Sequence, residues 1–171
     1  MAEMGNNQKT LKELYFEACQ NNDTEIVQFC IDKLGLNINC VSEDGLWTGL
    51  AICAKNNYLQ MLEVLLNVPN VNVNIKSSRK CIDEDDFGKV TSIIVACYYQ
   101  NHEIVRRLLR EPGIDLKYKS GNWKWTAMHW AAWKSDKCCE ELAMYPDIEW
   151  NCSQKRDFSP LGIAIWNAGN S

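Results

Sequence analysis

The chain has 171 residues, 46% of them apolar and 23% charged, with a formal net charge of −4 and a pI near 5.2. That composition can bury a continuous core, and no stretch approaches the ~20 consecutive apolar residues of a membrane span. An acidic balance supplies no overall field for phosphate, which argues against nucleic acid as a partner.

Residues Met1 to Lys12 are polar and lack the apolar run of a secretory signal, so the cytosol, or the nucleus, is the expected compartment. From there one short pattern recurs. The segments LKELYFEACQNNDTEIVQFCI, TGLAICAKNNYLQMLEVLL, TSIIVACYYQNHEIVRRLL, TAMHWAAWKSDKCCEELA and SPLGIAIWNAGN follow one another along the chain. Each of the first four leads to a second echo: LGLNIN, VPNVNVN, EPGIDLK and YPDIEWN.

The residues closing the first half of each unit are Cys19, Ala54, Cys97, Ala132 and Ile165, at intervals of 35, 43, 35 and 33. Those closing the second half are Asn39, Asn74, Lys117 and Asn151, at intervals of 35, 43 and 34. Two registers thus give one period, which lies in the range of helical solenoids, with about 10 extra residues in one connection. The units fall at residues 8–41, 42–76, 77–118 with an inserted loop at 77–86, 119–153, and a partial 154–171.

Thr48, Thr91, Thr126 and Ser159 stand where a hydroxyl caps the free N–H groups of a short helix, and Pro160 follows at a first helical position. Helices of two or three turns do not persist alone in water, so stacking must stabilise them. Leu65, Leu66, Leu108, Leu109 and Leu142 are the expected filling between layers, with Ala54, Cys97, Ala131, Ala132 and Ala164 as the close-approach positions. The first unit, without a Thr-led start and rich in Lys9, Lys12, Glu13, Glu17 and Gln20, reads as a polar cap. The fifth stops before a second helix, leaving Ile165 and Trp166 uncovered, which leads us to expect that the chain is the N-terminal part of something longer.

Thr126-Ala127-Met128-His129-Trp130-Ala131-Ala132 resembles the ankyrin signature T-P-L-H-x-A-A, with Ser159-Pro160-Leu161 and Thr48-Gly49-Leu50 as weaker copies. EIVQFCI, MLEVLL and EIVRRLL are similar to the second ankyrin helix, and the resemblance covers roughly residues 10 to 170. It implies an all-α ankyrin-repeat solenoid of helix-turn-helix units joined by β-hairpin loops. It also implies a non-catalytic module that binds a protein partner through a concave face and its hairpins.

In such arrays the residues just after the Ala-Ala pair line the concave side. Here they are Gln20, Lys55, Tyr98, Trp133 and Trp166, followed by Asn21, Asn56, Tyr99, Lys134 and Asn167, while the hairpins add Trp47, Trp123, Trp125 and Phe158. The partner-binding candidates are therefore Lys55, Tyr98, Tyr99, Trp123, Trp133, Lys134 and Trp166, since Trp and Tyr dominate binding hot spots. Trp47 and Trp125 precede the capping Thr at a slot also held by Val90 and Phe158, so packing is the better expectation for them.

Little supports catalysis. The two histidines have structural roles, His129 in the motif itself and His102 at the start of a second helix, and the glycines fall singly at turns rather than in a phosphate loop. Nine cysteines form no Cys-x-x-Cys pair, and Cys19, Cys30, Cys53, Cys97 and Cys139 occupy slots where other units carry Ala, Leu or Val, as buried thiols do. Cys81, in the inserted loop, is the thiol placed to react. No cofactor, metal or small-molecule substrate is expected, and the cluster Arg106, Arg107 and Arg110 reads as a solvated face.

Two other roles compete with the interaction module. The array can be the regulatory or targeting N-terminal head of an enzyme or channel whose working part lies beyond residue 171. It can also be a modification target, because Asn39, Asn74 and Asn151 resemble asparagines hydroxylated in ankyrin proteins, although the Asp usual two residues earlier is replaced by Asn37, Asn72 and Glu149.

Overall fold

The computed structural model describes residues 10–78, 88–121, 124–146, 148–150 and 159–169. Among them run nine short helices: α1 (Leu11–Gln20), α2 (Thr24–Asp32), α3 (Gly49–Asn56), α4 (Leu59–Leu66), α5 (Ser92–Tyr98), α6 (His102–Leu108), α7 (Ala127–Lys134), α8 (Asp136–Ala143) and α9 (Pro160–Ala168). They form two layers. The inner helices α1, α3, α5, α7 and α9 pack in series, as do the outer helices α2, α4, α6 and α8, and each inner helix from α1 to α7 packs on the outer helix that follows it. This is the nearest-neighbour stack of an all-α solenoid.

All four predicted cap residues stand at helix starts, though not all make the bond. Thr48 and Ser159 side chains accept from the N–H groups of Ala51 and Gly162, at 3.2 and 3.1 Å. Pro160 sits at the head of α9, and Thr91 holds the same place before α5 without a side-chain bond. The expectation that the first unit lacks such a start is corrected by Thr10. Its hydroxyl accepts from Glu13 N–H at 3.1 Å while the Glu13 carboxylate accepts from Thr10 N–H at 2.7 Å, a full capping box. Thr-Leu-Lys-Glu lacks the small residue that follows the hydroxyl in other units, which hides the start from a pattern comparison.

The core is a strip between the layers, with Tyr15, Leu62, Leu65, Ile93, Ile94, Leu108, Met128 and Leu142 fully buried. Gly49 is tightly enclosed: a Cβ there would collide with the Tyr15 hydroxyl and lie 3.2 Å from Leu65 Cδ1. Cys19, Cys30, Cys53 and Cys97 are buried as expected, but Cys139 is only half-buried, and its neighbour Cys138 takes the interior slot. At the far end Ile165 is 65% exposed, and Pro160 and Ile163 are the buried residues of α9.

Serines recur at the hairpin bases. Ser77 Oγ accepts from Thr48 N–H at 3.1 Å and lies 3.1 Å from Thr48 Oγ1. Ser42 Oγ accepts from Trp47 N–H at 2.9 Å, and Ser120 Oγ donates to the Trp125 carbonyl at 2.9 Å. Ser42, Ser77 and Ser120 stand at the repeat intervals of 35 and 43, a periodicity that could have been read beforehand. Ser77 and Ser78, assigned from the sequence to the head of the inserted loop, instead belong to strand β1 (Lys76–Ser78). It pairs antiparallel with β2 (Lys89–Thr91) in the register Lys76↔Thr91, Ser77↔Val90 and Ser78↔Lys89. The rest of that insertion, with Cys81, lies outside the described residues, as do Lys9, Trp123, Asn151 and Phe158.

Asparagines tie successive units together. Asn39 donates to the Asn70 carbonyl at 2.9 Å and accepts from Asn72 N–H at 2.7 Å; Asn74 makes the same pair of bonds to Gly113 O and Asp115 N–H, both at 2.8 Å. At the other edge Asn101 donates to the Ala54 and Lys55 carbonyls, and Asn167 to those of Ala132 and Trp133. Both satisfy carbonyls that the preceding unit's inner helix leaves open at its C-terminus.

Candidate functional site

The inner helices end in the residues predicted to face a partner, and five of them form one connected strip. Lys55, at the end of α3, places its Nζ 4.8 Å from the Trp47 ring centroid and 5.7 Å from that of Tyr99. Tyr99 meets Tyr98 edge-on at 5.1 Å, and Lys134 Nζ lies 4.9 Å from the Tyr98 centroid and 4.2 Å from that of Trp133. Rings and ammonium groups therefore alternate across α3, α5 and α7. Cations hold such positions because the ring face carries the negative side of the quadrupole.

A buried aromatic group supports the strip from beneath. Trp125 and Trp130 touch edge-on at 5.0 Å, Trp133 approaches them at 5.5 and 5.6 Å, and Tyr98 meets Trp130 at 5.4 Å. Trp130 also donates through Nε1 to Ser120 Oγ at 3.3 Å. Trp125 is buried as predicted, Trp47 is half-buried beneath Lys55, and Trp133 remains 42% exposed on this base. Trp130, hidden in the middle of the signature, was not among the predicted site residues; its position between Ala131 and the motif histidine gave no sign of its role.

Trp166 on α9 is 60% exposed. It shares with Trp133 and Lys134 an inner-helix C-terminus and the neighbouring Asn167, which bonds to Trp133 O. Beside Trp133 lies an open depression of about 760 Å³, lined by Gln100, His102, Lys134, Asp136, Lys137 and Asn167 among others.

His129 stacks on Trp125 at 5.9 Å, accepts from Thr126 N–H through Nδ1 at 3.2 Å and lies 2.8 Å from Thr126 Oγ1, so it is built into the start of α7. His102 opens α6. Burial pushes the thiols of Cys19 and Cys139 up, to about 12 and about 11, and raises Cys53 and Cys97 as well, so these sulfurs stay protonated at neutral pH. Among the described residues no group of His, Cys, Asp and Glu is arranged to hold a metal ion, and no helix is long and apolar enough to cross a membrane.

The arginine cluster reaches solvent at Arg106 and Arg110, as predicted, but Arg107 is drawn in, and Arg106 and Arg107 make ion pairs. Arg107, only 17% exposed, donates through Nε to Glu63 of α4 at 2.7 Å and through Nη1 to Glu111. Arg106 grips both oxygens of Glu141 on α8 through Nε at 3.0 Å and reaches Oε1 through Nη2 at 2.5 Å. The hydrogen bonds and charge of Arg106 hold the Glu141 carboxyl below the usual range. Consecutive outer helices are thereby linked, while Arg110, like Arg106, is exposed as expected.

Sequence profiles of ankyrin repeats match residues 15–66 and, in two overlapping registers, residues 77–154 and 93–170. The chain belongs to the ankyrin repeat family. No curated protein matches it significantly. Ankyrin repeats are generally protein–protein interaction modules and typically non-catalytic.

Proposed function

We propose that this ankyrin array is a non-catalytic module that binds a protein partner through its concave face, with Lys55, Tyr98, Tyr99, Trp133, Lys134 and Trp166 as contact residues. Trp123, a hairpin residue outside the described set, belongs to the same proposal on sequence grounds. One observation carries it: five of these side chains form a continuous ring-and-cation strip across three successive inner helices. Exposed aromatics supported by a rigid buried base lose little entropy on contact, which is the character of a binding hot spot. Affinity capture tests it. The Trp133→Ala/Trp166→Ala double variant is expected to lose partners that the wild type retains while still melting cooperatively; identical partner sets would overturn the reading.

A second reading, a regulatory or targeting head for an enzyme or channel portion of a longer protein, draws on α9. That helix presents Leu161, Ile165 and Trp166 as exposed apolar side chains, which a further layer would cover. A stop codon directly after Ser171 in the transcript would sink it.

A further inference from the structure

From α3 onward, beyond an inner helix α1 that carries Glu13 and Glu17, charge on the described helices is sorted by layer. Helices α3, α5, α7 and α9 carry Lys55 and Lys134 and not one Asp or Glu, whereas every outer helix carries at least one carboxylate. Against a chain net charge of −4 the inner layer from α3 onward is cationic. Among the described residues neither lysine has a carboxylate partner, while Arg106 and Arg107 of the outer layer are both paired. Each ammonium lies near two rings, which accept none of its hydrogen bonds as a carboxylate would and so leave its three donors to bond an anion.

We propose that the strip takes an extended acidic segment of a protein partner, with two carboxylates on Lys55 and Lys134 and an apolar side chain between them on Tyr98 and Tyr99; this rests on the protein-binding reading above. Steps of 5.7, 5.1 and 4.9 Å along Lys55, Tyr99, Tyr98 and Lys134 keep the ammonium groups within about 16 Å of each other. An extended chain rises about 3.3 Å per residue and alternates faces, so carboxylates at i and i+4 with an apolar residue at i+2 point the same way over about 13 Å. A pattern within that span is Glu-x-Leu-x-Glu. A nucleic acid strand carries a phosphate at every nucleotide and would need a longer cationic track than two lysines supply.

Fluorescence anisotropy on the whole chain decides this with labelled peptides Glu-x-Leu-x-Glu, Gln-x-Leu-x-Gln and Lys-x-Leu-x-Lys, and with a single-stranded oligonucleotide. The acidic peptide is expected to bind at least about tenfold more tightly than the others and to weaken as salt rises. Lys55→Gln/Lys134→Gln should remove that preference, and Lys55→Arg/Lys134→Arg should retain it. Equal binding of acidic and neutral peptides, tighter binding of the oligonucleotide, or an unaltered preference in the Gln variant would each overturn the inference. Should these peptides fail while capture sensitive to Trp133 and Trp166 persists, the acidic ligand falls and the protein-binding reading stands.

Discussion

The outer and inner layers of this solenoid use their charged residues in opposite ways. On the outside, Glu63, Arg107, Arg106 and Glu141 link α4, α6 and α8 by ion pairs, and these charges are consumed in holding one unit to the next. On the inside, Lys55 and Lys134 lie on aromatic rings with no carboxylate in reach among the described residues, so their charge stays available. The difference teaches that a surface charge on a repeat protein is informative only once its partner in the neighbouring unit is known.

The sharpest way to break both layers together is through the strip of core they share. Leu108→Ala, at a fully buried position of α6, is expected to cost about 3 kcal/mol, read as a lower denaturant midpoint at unchanged slope. Gly49→Ala acts chiefly on the inner pair α1 and α3, with Leu65 of α4 also in contact. Its Cβ would meet the Tyr15 hydroxyl, so a loss of about 2 kcal/mol is expected, and Tyr15→Phe should recover part of it in the double variant. Additive losses would show that this contact is not the cause.

Smaller effects separate the layers. Arg107→Ala should destabilise by about 1 kcal/mol in urea and leave partner capture intact, whereas Trp133→Ala should do the reverse. The weakest effect is on pH. Because Arg106 lowers the Glu141 carboxyl below its unfolded value, the stabilisation is present above the ordinary carboxylate range and disappears as pH falls through the lowered value. The melting difference between wild type and Glu141→Gln should therefore be largest near pH 7 and shrink toward pH 3.

Much of the architecture could be read from the residues because each unit repeats a local rule: a hydroxyl cap, small residues for close approach, leucines for the interlayer space. Thr48, Thr126, Ser159 and Pro160 all stand at helix starts, and Leu65, Leu108 and Leu142 are buried. The capping box at Thr10 obeys the same chemistry in a different sequence dress. The candidate site was legible as a set of positions, since inner-helix ends are fixed by the period, but its internal order was not. That Lys55 lies over Tyr99, 44 positions along the chain, depends on how α3 and α5 are set side by side.

By itself the sequence determined the period, the helix starts, the alternation of inner and outer helices and the list of side chains that the inner ends carry. Only the tertiary structure decided which charges are paired and which are left over rings, and that Ser77 anchors Thr48 rather than opening a loop. The reason is geometric: caps and apolar spacing act within a few residues, whereas an ion pair or a cation over a ring depends on a few ångströms of placement between units some 35 residues apart.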